Sequence, residues 1–183
     1  VTVAGDLTTS LDSRDGLPDN RIHAAHETAD GTIWLGLDAA AGIVRYRPLR
    51  RPPNAPTVTV QTDRNYADLA SLPKVLVGQR VTFRFDVVEF RTVPAKRQYR
   101  WQLFQGARGA EQLEAHWQPP ATTTQLEQAF DQAGAWTLAV QFIDRDLNYS
   151  APTLAVIHVA LPWHANMALM IPAGAGVAGL LGW

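Results

Sequence analysis

The residues whose types and spacing suggest chemistry are few. His23, His26 and Glu27 lie close enough together to be weighed as metal ligands. Residues three apart on a strand point to opposite faces, so a site using both histidines needs a bend. The other reading is a row of exposed strand residues. Asp144-x-Asp146-x-Asn148 has the opening spacing of a calcium loop. Its sixth position is Tyr149 where such a loop needs glycine, and its twelfth is Ala155 where it needs a bidentate glutamate. A hairpin turn is therefore the favoured reading. Asn148-Tyr149-Ser150 fits a glycosylation sequon, which has meaning only on a eukaryotic secretory route. Trp101, Trp117 and Trp136 could stack on sugar rings, but Trp101 and Trp136 fall on the apolar faces of their strands and read as core. Trp117 stays open as a ligand-stacking residue. With no cysteine, the chain can form no disulfide, thiolate nucleophile or thiolate metal site. Its Ser, His and Asp residues occur without a nucleophile elbow, and no Gly-rich phosphate loop is present. The expectation is no catalytic residue, no metal and no cofactor.

These residues are positioned by strands, and the stretch 134–163 organises the rest. Trp136, Leu138, Val140 and Phe142 alternate with the period of a strand with one buried face. Asp144 to Ser150 is polar and turn-forming. Thr153 to Leu161 is apolar at nearly every position and β-branched, which predicts a well-buried partner strand. Pro162 stops it, and Trp163 opens an apolar run to the end of the chain. At 183 residues there is room for one or two small domains. A net charge of −1 gives no reason to expect nucleic acid as a partner. The first ten residues lack the pattern of a signal peptide, and Val1 is not a natural start, so the chain reads as a fragment with any export signal upstream.

Residues 15–47 show short strands between turn signals at Asp15-Gly16 and Asp30-Gly31. The strands are Ile22 to Glu27, then Ile33 to Leu37, then Ile43 to Tyr46. Ile33, Leu35 and Leu37 share one face and Trp34 lies on the other, yet Trp34 is expected to pack in a core. The runs DGLPDN, DGTIWLGL and GIVRY resemble the two-component regulator propeller repeat, over about one repeat. One departure is Ala40-Ala41 before Gly42, where the repeat often has a second glycine. The resemblance implies one terminal blade of a longer propeller over residues 1–48, with Val1 to Leu11 as a strand of the preceding blade. A single blade cannot bury its own faces. Residues 49–56 form a Pro/Arg-rich linker.

Beyond the linker, strands are expected around Val58 and Val60, along Val81 to Val87, Tyr99 to Leu103, at Glu114 to Gln118 around Trp117, and along Gln125 to Phe130. Gln125 to Phe130 also suits a helical turn, and strand is preferred because Thr122 to Thr124 leads into it. With the final hairpin this makes about seven strands at sandwich-like spacing, an immunoglobulin-like or fibronectin-III-like β-sandwich over residues 57–162. The expected core residues are Tyr99, Trp101, Trp136 and Phe142. Tyr99-x-Trp101-x-Leu103, Trp117, Gly134-x-Trp136, Asp144, Asn148-Tyr149-Ser150 and Pro162-Trp163 resemble the triple-tyrosine domain that follows such propellers in membrane-bound bacterial sensor proteins. That family usually has tyrosine where this chain has Trp101 and Trp136, so no role of a phenolic hydroxyl is carried over to them.

Residues 163–183 read as the start of a transmembrane helix. The run from Met167 to Gly182 has no charge and spans about 24 Å as a helix, somewhat short of a ~30 Å hydrocarbon core. A buried helix or a loose tail is the alternative. Trp163 and Trp183 sit where a membrane interface would place them, and His164 is a candidate proton sensor there. The class is thus all-β, with a C-terminal apolar helix. The two resemblances together imply a non-catalytic extracytoplasmic relay segment of a transmembrane signalling receptor, on the periplasmic side of an inner membrane. They imply a homodimer through the membrane-proximal sandwich and a carbohydrate-derived ligand at the missing blades. The alternative is a carbohydrate-binding module with its own aromatic site.

Overall fold

The computed structural model describes residues 2–4, 7–38, 40, 42–68, 71–113 and 116–162. Among these the fold is all-β. Thirteen strands follow one another: β1 Thr2–Ala4, β2 Leu7–Thr9, β3 Ile22–Glu27, β4 Ile33–Leu37, β5 Ile43–Tyr46, β6 Thr57–Gln61, β7 Asn65–Tyr66, β8 Val75–Leu76, β9 Arg80–Asp86, β10 Gln98–Gln105, β11 Gln125–Ala129, β12 Gly134–Ile143 and β13 Thr153–Ala160.

The sandwich grows from alternation. In β9 the side chains of Val81, Phe83 and Phe85 point inward and Arg80, Arg84 and Asp86 outward. In β12 Leu138, Val140 and Phe142 answer them, and in β13 Ala155, Ile157 and Val159 do the same. Two four-stranded sheets result, in the orders β11-β9-β6-β7 and β10-β12-β13-β8. All pairs are antiparallel except β13 with β8. Tyr99 stands between Phe85 and Phe142 with ring centroids 5.9 and 5.6 Å away, tilted as aromatic pairs prefer. Burial of each such side chain contributes about 1.5–3 kcal/mol, which is what holds the layers together.

The strand expected over Gln125–Phe130 is present as β11, and Phe130 is buried just beyond it. Three expectations about the sandwich need correction. The stretch around Trp117 is not a strand. Pro119 and Pro120 have no backbone N–H to give a ladder, and the stretch is bonded to β10 by Gln118 N to Trp101 O and a bridge at Ala121. The final strand is buried on one face only: His158 is exposed between buried Ile157 and Val159. β12 is the strand covered on both sides: on its outer face Gly106 and Arg108 bond to Thr137. There Thr137 Oγ1 donates to Gly106 O at 2.7 Å, and Thr137 and Ala139 are fully buried. Trp136 is the third correction. It is half-buried at the end of the sandwich, packs on Phe130 at 5.3 Å rather than on Tyr99 or Trp101, and donates its Nε1–H to Gln132 O.

Upstream, β3, β4 and β5 form a three-stranded antiparallel sheet. Leu17, Leu35 and Leu37 make its small core, with Leu11, Ile33 and Val44 against it. Trp34 has the opposite parity and is 41% exposed, between His26 and Arg45 in register, so it is not a core residue. Ile43 is exposed too, and β3 is exposed along its whole length. The N-terminal residues pair with each other, β1 with β2, as a separate hairpin instead of a lone strand. The apolar tail with Trp163, His164 and Trp183 lies outside the described residues. Among the described residues no helix is long and apolar enough to cross a membrane.

The packing ranks two substitutions. Phe142→Ala should cost about 3–5 kcal/mol in urea denaturation. Trp136→Ala should cost less, since its ring already meets water. The reverse order would place the core at the wrong end of the sandwich.

Candidate functional site

The densest polar chemistry lies where the small sheet meets the sandwich. It is built on the turn Asp144–Asn148 between β12 and the segment leading to β13. The Asp144 side chain has no exposure. A buried carboxylate must have donors, and the turn supplies them. Oδ1 accepts from the backbone N–H of Asp146 and of Asn148, both at 2.9 Å, and from Asn148 Nδ2 at 3.2 Å. Oδ2 accepts from Arg91 Nη2 at 3.2 Å. The turn closes with Leu147 N donating to Asp144 O and Leu147 itself in the left-handed region at φ 63°. Holding a side-chain residue there costs energy, which the bonds to Asp144 offset.

With the turn so fixed, Asp146 is aimed at the small sheet. Its side chain is 2% exposed. The Tyr46 hydroxyl at the end of β5 donates to Oδ1, and the backbone N–H of Leu49 donates to Oδ2 at 3.0 Å. Arg91 reaches Oδ2 at 3.4 Å and so bridges both aspartates, with Glu89 behind it at 3.5 Å. Asn148 Nδ2 also donates to Leu49 O. The linker is thus bonded through both its backbone groups at Leu49. Burial, then the hydrogen bond to the Asp146 carboxylate and its charge, push the Tyr46 hydroxyl well above the ordinary tyrosine range.

A second clamp lies alongside. Asp12 caps the Ser13–Asp15 turn through Arg14 N, and Gly16 ends that turn at φ 99°, a conformation that favours glycine. Lys96, from a short turn at Pro94–Lys96, reaches Asp15 and, at 2.9 Å, Asp12. It also donates to Ser10 O at 2.9 Å. Hydrogen bonds from Arg14 and then Lys96 hold the Asp12 carboxyl far below the usual carboxylate range. Burial works against the charge on Lys96, but the bonds to Asp15 and Asp12 raise its pKa overall.

The residues singled out from sequence fall as follows. Tyr99 and Phe142 lie in the core, while Trp101 and Trp136 pack half-buried at its margin. One face of the half-buried Trp117 ring is taken by a cation. The Arg100 guanidinium lies over it at 4.6 Å, with Tyr149 on the other flank at 4.0 Å and Gln141 Oε1 accepting from Arg100 Nε at 2.8 Å. His23 faces Asp38 at 3.4 Å, on an exposed strand, and does not converge with His26. Asp144, Asp146 and Asn148 do converge, but toward a turn, an arginine and a tyrosine. Sequence reading passed over Tyr46, Arg91, Lys96 and Arg145. The available signal was the Asp144-x-Asp146-x-Asn148 spacing, which demands donors from somewhere.

No protein-family model matches the chain, and no curated protein matches it. Among solved structures it is similar to the extracellular domain of a hybrid two component system from B. thetaiotaomicron, at 15% identity and a TM-score of 0.43, over 76% of this chain and 20% of that one. The extracellular domain of a one component system from the same organism gives 14% identity and a TM-score of 0.42, over 80% of this chain and 21% of that one. The soluble domain of PmoD from Methylocystis sp. gives 13% and 0.40, over 57% of this chain and 90% of that one. The chain thus spans about a fifth of the length of the first two.

The clamp has a pH signature. A tyrosine whose pKa is raised on folding contributes fully below its unfolded value of about 10 and loses that contribution as pH rises toward its folded value. Tyr46→Phe should cost about 1–3 kcal/mol at neutral pH, because Asp146 Oδ1 loses its donor. The variant should also lose less stability than the parent between pH 9 and pH 11. Denaturation curves at both pH values check this, and parallel losses would contradict it.

Proposed function

We propose that the chain is a non-catalytic relay segment of an extracytoplasmic sensor in a transmembrane signalling receptor. The observation that carries this reading is the clamp: Asp146, fixed by Asp144, holds β5 and the linker to the sandwich through Tyr46, Leu49 and Arg91. A Pro/Arg-rich connection alone would let two units reorient. Buried, charge-assisted bonds at its start make the small sheet and the sandwich move together. That is what a relay needs, since a displacement upstream must arrive at the last strand undiminished.

The resemblance to the propeller repeat and the triple-tyrosine domain fits this mechanics. In this reading the three-stranded sheet is a terminal propeller blade, and its open faces, with Trp34 and Ile43, meet blades that precede it. Ligand, carbohydrate-derived by family resemblance, binds in those blades. The strand Thr153–Ala160 feeds the motion into a membrane helix that begins near Trp163. A receptor with one membrane pass works through at least two protomers, so a two-fold contact near that strand completes the scheme. The segment stands on the periplasmic side of an inner membrane. The alternative, a sugar-binding module with its own aromatic site, would have to use the face of Trp117 that Arg100 leaves open.

The test uses the full-length receptor in membrane vesicles. Output is measured with and without a panel of oligosaccharides, and binding is measured in parallel. Asp146→Ala should leave ligand affinity within about twofold and abolish the ligand-dependent change in output. An unchanged response in the variant would remove the relay role from this junction.

A further inference from the structure

Beside the two clamps lies a cleft of about 550 Å³, bounded by the Ser13–Asp15 turn, the loop from Glu89 to Arg97, and Arg145. Four arginines line it, Arg14, Arg91, Arg97 and Arg145, against two carboxylates, Asp15 and Glu89. Both acids are already used. Lys96 holds Asp15, and Arg91 approaches Glu89 at 3.5 Å. Arg14 has its own partner in Asp12 at 2.7 Å, and Arg97 reaches Asp86 at 3.6 Å. Arg145 is left over. Among the described residues it forms no ion pair. Its guanidinium makes one long hydrogen bond, 3.5 Å to the Asp15 carbonyl, and sits 5.8 Å from the Tyr46 ring. Its Nε is shut away from water and donates to nothing, and the same holds for Arg97 Nε.

A partly desolvated guanidinium without a counter-ion is costly, and nothing in the folding of the sandwich requires one at this position. Its planar fork matches a carboxylate in two-point geometry. Two further features of the cleft narrow the ligand. Asp15 Oδ1 is buried without a donor, so a hydroxyl on the ligand suits it. Phe90 is 94% exposed at the rim, an apolar surface that a ligand's carbon skeleton would cover. We propose that this cleft binds a small hydroxycarboxylate, with Arg145 as the principal partner of the carboxylate. The site lies at the junction and makes its contacts from both sides of it. It is separate from any ligand site in upstream blades and does not depend on the relay reading.

The experiment titrates the 183-residue chain with D-glucuronate and, separately, with D-glucose, and follows backbone amide shifts by NMR. Glucuronate should bind saturably in the millimolar range and move the amides of residues 89–93, 95–97 and 145. Glucose should move none of them. Arg145→Gln should weaken glucuronate at least tenfold, whereas Arg21→Gln, whose side chain pairs with exposed Asp38, should not. The shift map on the unaltered chain locates the site even if Arg145→Gln proves unstable. Equal response to glucose, shifts elsewhere in the chain, or undiminished binding in a folded Arg145→Gln variant would each overturn the proposal.

Discussion

Asp144 is a carboxylate without access to water, and most of the polar architecture follows from that constraint. Uncompensated, such a charge would cost several kcal/mol. Two backbone N–H groups of its own turn, one asparagine amide and one arginine satisfy it. In doing so they fix the turn, recruit Arg91 from the loop between β9 and β10, and set Asp146 facing the small sheet. The second aspartate then does for the linker what the first does for the turn. A chain of charge-assisted bonds runs from β12 through the turn to β5. Its two carboxylates are buried, so salt screens them less than surface pairs such as Arg80–Glu127.

The two parts of the molecule differ in what holds them. The sandwich has a closed aromatic and aliphatic core. The three-stranded sheet has only a small leucine cluster and one open face, and much of its order comes from being fastened. It is fastened to the sandwich through Tyr46 and Lys96, while Trp34 and Ile43 stay exposed on its open face. A unit with low intrinsic stability and strong attachments is suited to passing on displacement, since local opening is coupled to its contacts.

How far the sequence reveals this depends on range. Alternation in β9, β10 and β12 is local, and the residues Phe83, Tyr99 and Phe142 lie inside as their parity demands. Gln125–Ala129 is likewise a strand, as the threonine lead-in suggested. Trp34 misleads because the size of the ring suggests a core while its parity, opposite to Leu35 and Leu37, assigns it to the open face. Trp117 misleads because Pro119 and Pro120 follow it and remove the donors a strand needs. Trp136 has the right parity but sits at the end of its strand, where the second layer no longer covers it fully. The clamps are hidden for another reason. Arg91 and Asp144 are 53 residues apart, and Lys96 and Asp15 are 81 apart. No spacing rule links them, and only the spatial meeting of the loop, the capped turn and the Asp144–Asn148 turn does so.

Buried Asp146 fastens the small sheet to the sandwich. Amide hydrogen exchange on the parent chain and on Asp146→Ala tests it most directly. Exchange in β4 and β5 should accelerate at least tenfold in the variant, while β9 and β12 keep the protection of the parent. Unchanged protection in β4 and β5 would contradict the account, because the sheet would then be held without the clamp.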